Sequence, residues 1–476
     1  MNICKHNDFC GGCIYQGMDY GQQLRIKEDE VLRLMAEKGV AAGKADPIEG
    51  CPSQYRYRNK MEYTFGDFEK GGPLTCGMHR KGNFMSITTV DSCQLVDEDF
   101  NRILSAAVEH ARRMGYSFYN KKSHKGLLRN LIIRKGVRTG QLLVNIVTSS
   151  EEGFDEEAFA KTVLDLKLDN KVVGILRTFN DSLADAVINQ AGRILWGSDH
   201  YEEKLCGLKF NVSAFSFFQT NVEAAERLYL EALALIDRID GKKVFDLYCG
   251  TGTISQIMAL KAKEVIGIEL VQEAAEAAAK NAALNGLDNC RFVAGDVFDV
   301  LSTIDDKPDV IVVDPPRAGI QQKALDKILG YGVEQILYIS CNPKTLMDNL
   351  RYMEYCGYRC DYLKPFDNFP FTKHVETVVL LSKLNAKQHI EVELNLDELD
   401  LTSAESKATY DEIKAYVLEK YGLKVSSLYI SQVKRKCGLD VGQNYNLSKK
   451  EDAKVPQCPP EKKTAIMEAL KHFQMI

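Results

Sequence analysis

The chain has 476 residues, 45% of them apolar and 27% charged, with a formal net charge of −5. At ~100–200 residues per domain it is too long for one core and predicts about three, and the near-balanced charge excludes a globally basic nucleic-acid binder, so any RNA or DNA site must be a local patch. No apolar stretch reaches the ~18–20 residues of a membrane span and no basic-then-apolar leader opens the chain, which predicts a cytoplasmic protein with no membrane partner.

Fourteen cysteines in a reducing compartment suggest metal where they cluster and core or chemistry where they stand alone. The first cluster comes at once. Cys4, Cys10 and Cys13, with five and two residues between them in a loop holding two glycines, favour a soft metal or an iron-sulfur centre. Cys51 and Cys76 are candidate fourth ligands, and His6 could complete a zinc site. Residues 51 to about 205 read as a mixed, β-rich region. In it, Tyr55-Arg-Tyr-Arg-Asn-Lys-Met-Glu-Tyr63 interleaves aromatics with cations, which suits stacking on bases and neutralising phosphates. Leu128-Arg-Asn-Leu-Ile-Ile-Arg134 predicts a strand with arginines at both ends, facing either RNA or solvent. Further on, Ser213-Ala-Phe-Ser-Phe-Phe-Gln-Thr-Asn221 offers Phe217 as a surface for an extruded base.

Between about 240 and 384 short β-rich runs alternate with helical ones. Lys243–Tyr248, Glu264–Glu269, Arg291–Val293, Asp309–Asp314 and Gln335–Ser340 read as buried parallel strands, and Val271–Lys280 and Gln321–Ile328 as helices between them. That alternation predicts a doubly wound sheet with its ligands at the carboxyl ends of the strands. The first strand runs into Asp246-Leu-Tyr-Cys-Gly-Thr-Gly-Thr253, whose glycines permit a tight turn under a ligand. Nineteen residues after Gly250, Glu269 ends the second strand, where a carboxylate can take both hydroxyls of a ribose. A dinucleotide fingerprint would require glycine at position 255, which is Ser255, so pyrophosphate is disfavoured. A nucleoside without phosphates, such as S-adenosylmethionine, fits better, with Asp296 placed for the adenine. The fourth strand ends in Asp314-Pro-Pro-Arg-Ala-Gly319, whose prolines cannot continue the ladder and form a rigid rim at Asp314.

The fifth strand ends at Ser340-Cys341 and is followed by Asn342-Pro343. A cysteine ending an apolar run is ordinarily a buried small hydrophobe. Here it lies at a strand's carboxyl end and before a helix, near amide donors that would favour its thiolate. A thiolate beside a methyl donor suggests nucleophilic catalysis. The C5 carbon of a pyrimidine becomes nucleophilic only after addition at C6, a reversible step suited to sulfur, and a base must later remove the C5 proton. Glu376, in Thr372-Lys-His-Val-Glu-Thr-Val-Val379, is the candidate base, and His374 is its rival.

Taken in order, Tyr248-Cys-Gly-Thr-Gly252, Asp314-Pro-Pro-Arg317, Ser340-Cys-Asn-Pro343 and His374-Val-Glu376 resemble the class I RNA uracil-5-methyltransferase family over residues 1 to 384. The resemblance implies Cys341 as nucleophile, Glu376 as proton acceptor, and Gln219, Tyr248, Thr253, Glu269 and Asp314 as contacts for S-adenosylmethionine. Thr253 departs from the asparagine common in that family, and its hydroxyl can still donate and accept. Cys93, in Val90-Asp-Ser-Cys-Gln94, resembles the distant fourth ligand of the iron-sulfur members, which with Cys4, Cys10 and Cys13 implies a four-iron four-sulfur cluster. Those members imply 23S ribosomal RNA as substrate, with transfer RNA as the alternative. A rival of another class is a non-catalytic iron-sulfur RNA-binding protein, against which the presence of both Cys341 and Glu376 argues.

The implied fold is α/β: a class I methyltransferase doubly wound sheet, mostly parallel with its last strand antiparallel, a β-rich RNA-binding and iron-sulfur domain, and a small helical C-terminal extension. The expected divisions are an iron-sulfur segment with a first helix over 1–50, a β-rich RNA-binding region over 51–205 from which Cys93 returns to the cluster, a catalytic domain over 206–384, and a helical accessory domain over 385–476. In that tail, Glu391–Asp400 is acidic, and Tyr410–Glu419 and Ser427–Lys436 predict two helices of a helix-turn-helix-like unit with Lys434, Arg435 and Lys436 on the second. No repeat or heptad pattern is present, so a monomer is expected.

Overall fold

The computed structural model describes residues 3–183, 190–384, 410–437 and 458–473. It forms two compact units, Met1–Gln388 and His389–Ile476.

In the first unit, helix α1 (Tyr20–Lys38) is capped by the Asp19 side chain and ends on Gly39 in the left-handed conformation. Its buried residues Gln23, Lys27, Val31, Leu34 and Met35 recur every three or four positions and so line one face. The edge strand β1 (Ala42–Ala45) follows. The β-rich region contains β2 (Lys60–Asp67), β3 (Leu74–Arg80), β4 (Asn83–Thr89), helix α2 (Glu98–Arg113), β5 (Leu128–Gly136), β6 (Gln141–Thr148), helix α3 (Glu156–Leu164), β7 (Lys171–Phe179) and β8 (Ala191–Gly197). Its strands form one sheet in the order β4-β3-β2-β5-β6-β7-β8, antiparallel except where β6 meets β7. The apolar faces of α2 and α3 close its core.

A hairpin of β9 (His200–Leu205) and β10 (Leu208–Ser213) leads into the doubly wound part. There the chain runs through α4 (Val222–Ala234), β11 (Lys243–Leu247), α5 (Thr253–Ala259), β12 (Glu264–Glu269), α6 (Gln272–Leu284), β13 (Cys290–Ala294), α7 (Val297–Thr303), β14 (Val310–Val313), α8 (Gln322–Gly330), β15 (Gln335–Ser340), α9 (Pro343–Tyr355), β16 (Tyr358–Phe366) and β17 (Glu376–Lys383). The sheet order is β1-β16-β17-β15-β14-β11-β12-β13, with β15 through β13 parallel and β17 antiparallel to both its neighbours. Alternate residues of β11 serve opposite faces. Phe245 and Leu247 enter a core with α1, α8 and α9, and Val244 enters one with α4 and α5. A sheet covered on both faces needs apolar residues at every strand position, and that is why these strands read as continuous runs. β1 was not foreseen as part of this sheet, yet it pairs in parallel with β16 and extends the sheet at that edge.

The arginines of β5 are neither solvated nor facing RNA. Arg129 is 7% exposed and donates to the Asn180 and Ser182 carbonyls, and Arg134 is 2% exposed and donates to the Ser216 carbonyl. Burial of a guanidinium demands internal acceptors, and backbone carbonyls supply them.

The second unit holds α10 (Tyr410–Tyr421), α11 (Ser427–Lys436) and a helix not foreseen, α12 (Pro460–His472), packed through Ile413, Val417, Ile430, Val433, Ile466 and Leu470. Lys434, expected on an exposed basic face, is 6% exposed. The acidic stretch 391–400 lies outside the described residues.

Candidate active site

The carboxyl ends of β11, β12, β14 and β15 meet at a cleft of about 2110 Å³ in the first unit. Because β17 runs antiparallel to β15, Thr377 pairs with Ser340, and the flanking Glu376 and Cys341 are brought to the same edge. Both line the cleft with Asp314, Arg317 and His374. The loops that carry them are tied together: Asn342 caps α9 by accepting from the Lys344 amide and donates to the Arg317 carbonyl at 2.8 Å, and Thr345 donates to the same carbonyl.

The electrostatics of this corner are those of crowded acids in a poorly hydrated place. Burial pushes the Glu376 carboxyl up to about 7, opposed by the Arg317 guanidinium. Asp314 is raised well above the carboxylate range by burial, then by Glu376 and Asp246. The Cys341 thiol is pushed up to about 11 by burial and by Glu376 and Asp314, with Arg317 pulling the other way. The expected thiolate preference is therefore absent in the free protein. The amide donors at α9 are outweighed by burial and by two neighbouring carboxyls that sequence order does not reveal. His374 is lowered to about 4 by burial and by Arg317, Lys373, Lys27 and Arg58, so it is neutral at pH 7.

The glycine turn lies on the other side of the cleft. Tyr248 has φ +67°, a left-handed conformation rare for a residue with a side chain, and Gly250 and Gly252 follow at +54° and +73°. A Cβ on Gly252 would stand 2.7 Å from the Phe292 ring and 2.8 Å from Ala278, so glycine is required there for packing as well as for conformation. Glu269 accepts from the Gly250 and Val271 amides at 3.0 and 2.9 Å, which fixes its carboxylate at the strand tip. Asp296 caps α7 through the Phe298 amide. Tyr248, Thr253, Glu269 and Asp296 all line the cleft. So does Gln219, on a loop held by Asn59 donating to its carbonyl, and its side chain also bonds Tyr229. Phe217 is 65% exposed at the mouth, and its carbonyl accepts from Thr251.

Sequence reasoning passed over three groups here. Arg58 reaches the cleft from the aromatic-cationic stretch, while Tyr57 and Tyr63 of that stretch are buried. Tyr229 sits beneath Asp314 and Glu376 with no local signal in α4. Asp246, fully buried and bonded by Ser255, is raised to about 7 by burial and retains an unpartnered Oδ1. Its place in the first strand's motif was the available clue.

The model of a family described as tRNA (uracil-5-)-methyltransferase matches residues 192–384. A Clostridium tetani protein described as an uncharacterized RNA methyltransferase is 47% identical over 374 residues, covering 79% of this chain and 82% of its own. A similarly described Clostridium acetobutylicum protein is 46% identical, with coverage of 80% and 83%. The chain belongs to the RNA uracil-5-methyltransferase family. Among solved structures it is similar to the Pyrococcus abyssi tRNA (uracil-54, C5)-methyltransferase in complex with S-adenosyl-L-homocysteine, with a TM-score of 0.63, 25% identity, and coverage of 78% of this chain and 86% of that one. This RNA methyltransferase is thus an enzyme that acts on RNA with S-adenosylmethionine as methyl donor, and its α/β fold is of the class I type. Among the described residues no helix is long and apolar enough to cross a membrane.

The cysteines of the family's β-rich part fall into two groups. Cys10 lies within electrostatic reach of Cys4, Cys13 of both, and Cys93 of all three. Cys51 is elsewhere, bonded by Asn221 and facing the Ser53 carbonyl, and Cys76 is sealed in the core of the seven-stranded sheet. His6 is engaged with Asp91 at 3.1 Å. The thiols Cys4, Cys10, Cys13 and Cys93 are thus neighbours and fit a thiolate-held centre in kind and number, although no three His, Cys, Asp or Glu side chains among the described residues are closed to coordination geometry.

Proposed function

We propose that the enzyme methylates C5 of a uridine in structured RNA, with Cys341 as nucleophile and Glu376 as base. The observation that carries this reading is the convergence of Cys341, Asp314 and Glu376 at one strand edge, across the cleft from the glycine turn. When bound, S-adenosylmethionine supplies an electrophilic methyl group. Glu269 suits its ribose hydroxyls, Asp296 its adenine edge, and Gln219, Tyr248, Thr253 and Asp314 the remainder of the molecule.

After giving up its thiol proton to water, Cys341 Sγ would add to C6 of the uracil ring, and the electron pair of the C5–C6 double bond would form the new methyl–carbon bond at C5 as the methyl–sulfur bond breaks, its pair staying on sulfur to leave S-adenosylhomocysteine. Glu376 then takes the C5 proton, the C–H pair restores the double bond, and Sγ leaves C6. A base with a pKa near 7 is matched to this step at neutral pH. His374, neutral at pH 7, lines the same cleft and in this reading would bond a uracil carbonyl. Phe217, exposed beside the turn, offers a stacking face for the base outside its helix.

In the same reading Cys4, Cys10, Cys13 and Cys93 hold a four-iron four-sulfur cluster, and the substrate is 23S ribosomal RNA, as in the iron-sulfur members that the chain resembles. The likeness to a tRNA (uracil-54, C5)-methyltransferase supports transfer RNA as the second reading. Mass spectrometry of RNA digests from cells lacking the protein, complemented with wild type or Cys341→Ala, tests both. Loss of a ribosomal 5-methyluridine restored by wild type alone supports the first reading, and loss of a transfer-RNA mark supports the second. No change in any 5-methyluridine would sink the reaction.

A further inference from the structure

Glu376 begins β17 immediately after the loop 367–375, and this loop is held almost entirely by chain segments far away in sequence. Asp367 forms an ion pair with Lys27 of α1 at 2.5 Å, with side chains 0% and 1% exposed, and also accepts from the Tyr20 hydroxyl at 3.0 Å. Lys27 donates a second bond to the Phe369 carbonyl at 3.1 Å. Gln23, one turn earlier on the same face of α1, accepts from the Phe371 amide at 2.9 Å. The Phe371 carbonyl accepts from the Ile14 and Tyr15 amides of the segment that follows Cys13. Phe371 itself has φ +66°, a conformation that an L side chain keeps only when its surroundings impose it. Its ring is buried with Tyr57 and Leu95, alongside Cys13 and Cys93.

A buried lysine–carboxylate pair is weak evidence for stability, but this one ties the loop to α1 in a fixed geometry. Beyond its own internal bonds, the loop is fixed by α1, by the cysteine segment, by the Glu49 carbonyl, which accepts from the Asp367 amide at 2.8 Å, and by Tyr57 and Asn221, which bond the Pro370 and Asn368 carbonyls. None comes from the elements that carry Cys341 or the glycine turn. We propose that Gln23, Lys27 and Phe371 are positioning residues for proton removal: α1 and the cysteine-rich segment clamp the 367–375 loop and so set Glu376 against the C5 proton. The cysteine segment then serves catalysis through its hold on Phe371. The inference rests on the uridine-C5 reading above.

The two halves of the reaction separate in the test. Addition and methyl transfer depend on Cys341, at the end of another strand, whereas release of the RNA depends on Glu376. Loosening the clamp should therefore let the methylated, Cys341-linked RNA accumulate. Two variants guard against a simple folding defect: Gln23→Met, and the double replacement Lys27→Met with Asp367→Leu, which leaves no buried charge unpaired. Each is compared with wild type and Glu376→Gln on natural RNA, using methyl-labelled S-adenosylmethionine, denaturing gels and thermal melting. The expected result is a kcat reduced tenfold or more, a KM for RNA within twofold, and a labelled protein–RNA adduct resembling that of Glu376→Gln. Hydrogen exchange over 367–376 should rise in parallel. Unchanged kcat would overturn the proposal. So would product and adduct falling together in proportion to the folded fraction. If wild type gives no product and Glu376→Gln no adduct, the uridine reading fails, and this inference with it.

Discussion

Glu376 shows how one buried side chain links stability to reactivity. Its carboxyl titrates near 7 in the folded protein and near 4.5 when exposed, so between these pH values the folded state binds the extra proton and stability declines as pH rises. Glu376→Gln should therefore melt higher than wild type at pH 8, by on the order of 1–3 kcal/mol, with the difference shrinking towards pH 5. Calorimetry at both pH values checks this. The same replacement should cut kcat by ~10²–10⁴, the usual range for loss of a general base. It should also lower the Cys341 thiol pKa by removing one of the carboxyls that raise it. Alkylation of the Cys341 peptide by iodoacetamide at pH 8.5, followed by mass spectrometry, should be faster in the variant than in wild type. An equal or slower rate would mean that Glu376 does not face the thiol. For wild type, kcat should climb with pH through about 7 as the base ionises.

Among the elements, the glycine turn between β11 and α5 tolerates little change. Gly252→Ala adds a Cβ where Phe292 and Ala278 leave none of the required room and forces φ +73° on an alanine. A loss of ~2 kcal/mol or more in stability, with weakened S-adenosylmethionine binding by titration calorimetry, is the expected outcome. The start of α9 is gentler. Asn342→Ala removes a cap worth ~1 kcal/mol and the bond to the Arg317 carbonyl, so it should cost activity beyond its effect on melting temperature. The turn and the cap were both legible in sequence, since glycines after a strand and Asn-Pro before a helix have local causes. The direction of the Cys341 shift was not, because it arises from burial first and then from Glu376 and Asp314, brought close only by the pairing of β14, β15 and β17.

At the scale of the molecule, the described residues that line the cleft belong to the first unit, which closes its own cores. A chain ending at residue 388 should fold with an unchanged melting transition for that unit and should methylate RNA at a rate within a few-fold of the full chain. Loss of all activity on truncation would give the helical unit a share in the site. The cysteine assignment has an equally direct check. Cys93→Ser should lower the iron content and the visible absorbance of anaerobically purified protein, and Cys51→Ser should leave both intact, because Cys51 is bonded to Asn221 away from the other thiols. Iron loss in both variants would remove the distinction.

Sequence by itself determined the doubly wound core, the glycine turn, and the polar residues that end each strand. These follow from local periodicity, from the conformational needs of glycine and proline, and from the rule that parallel strands present their ligands at carboxyl ends. It also offered Cys341 and Glu376 as the candidate chemical pair on which the proposed reaction rests. Tertiary structure alone decided how they are held. Lys27 and Asp367 are 340 residues apart, and nothing in either neighbourhood announces a buried ion pair. The arginines of β5 read as a basic edge until their carbonyl acceptors are in place. Burial and partnership between distant segments are properties of the packed chain, and the raised pKa values of Asp314 and Glu376 depend on them.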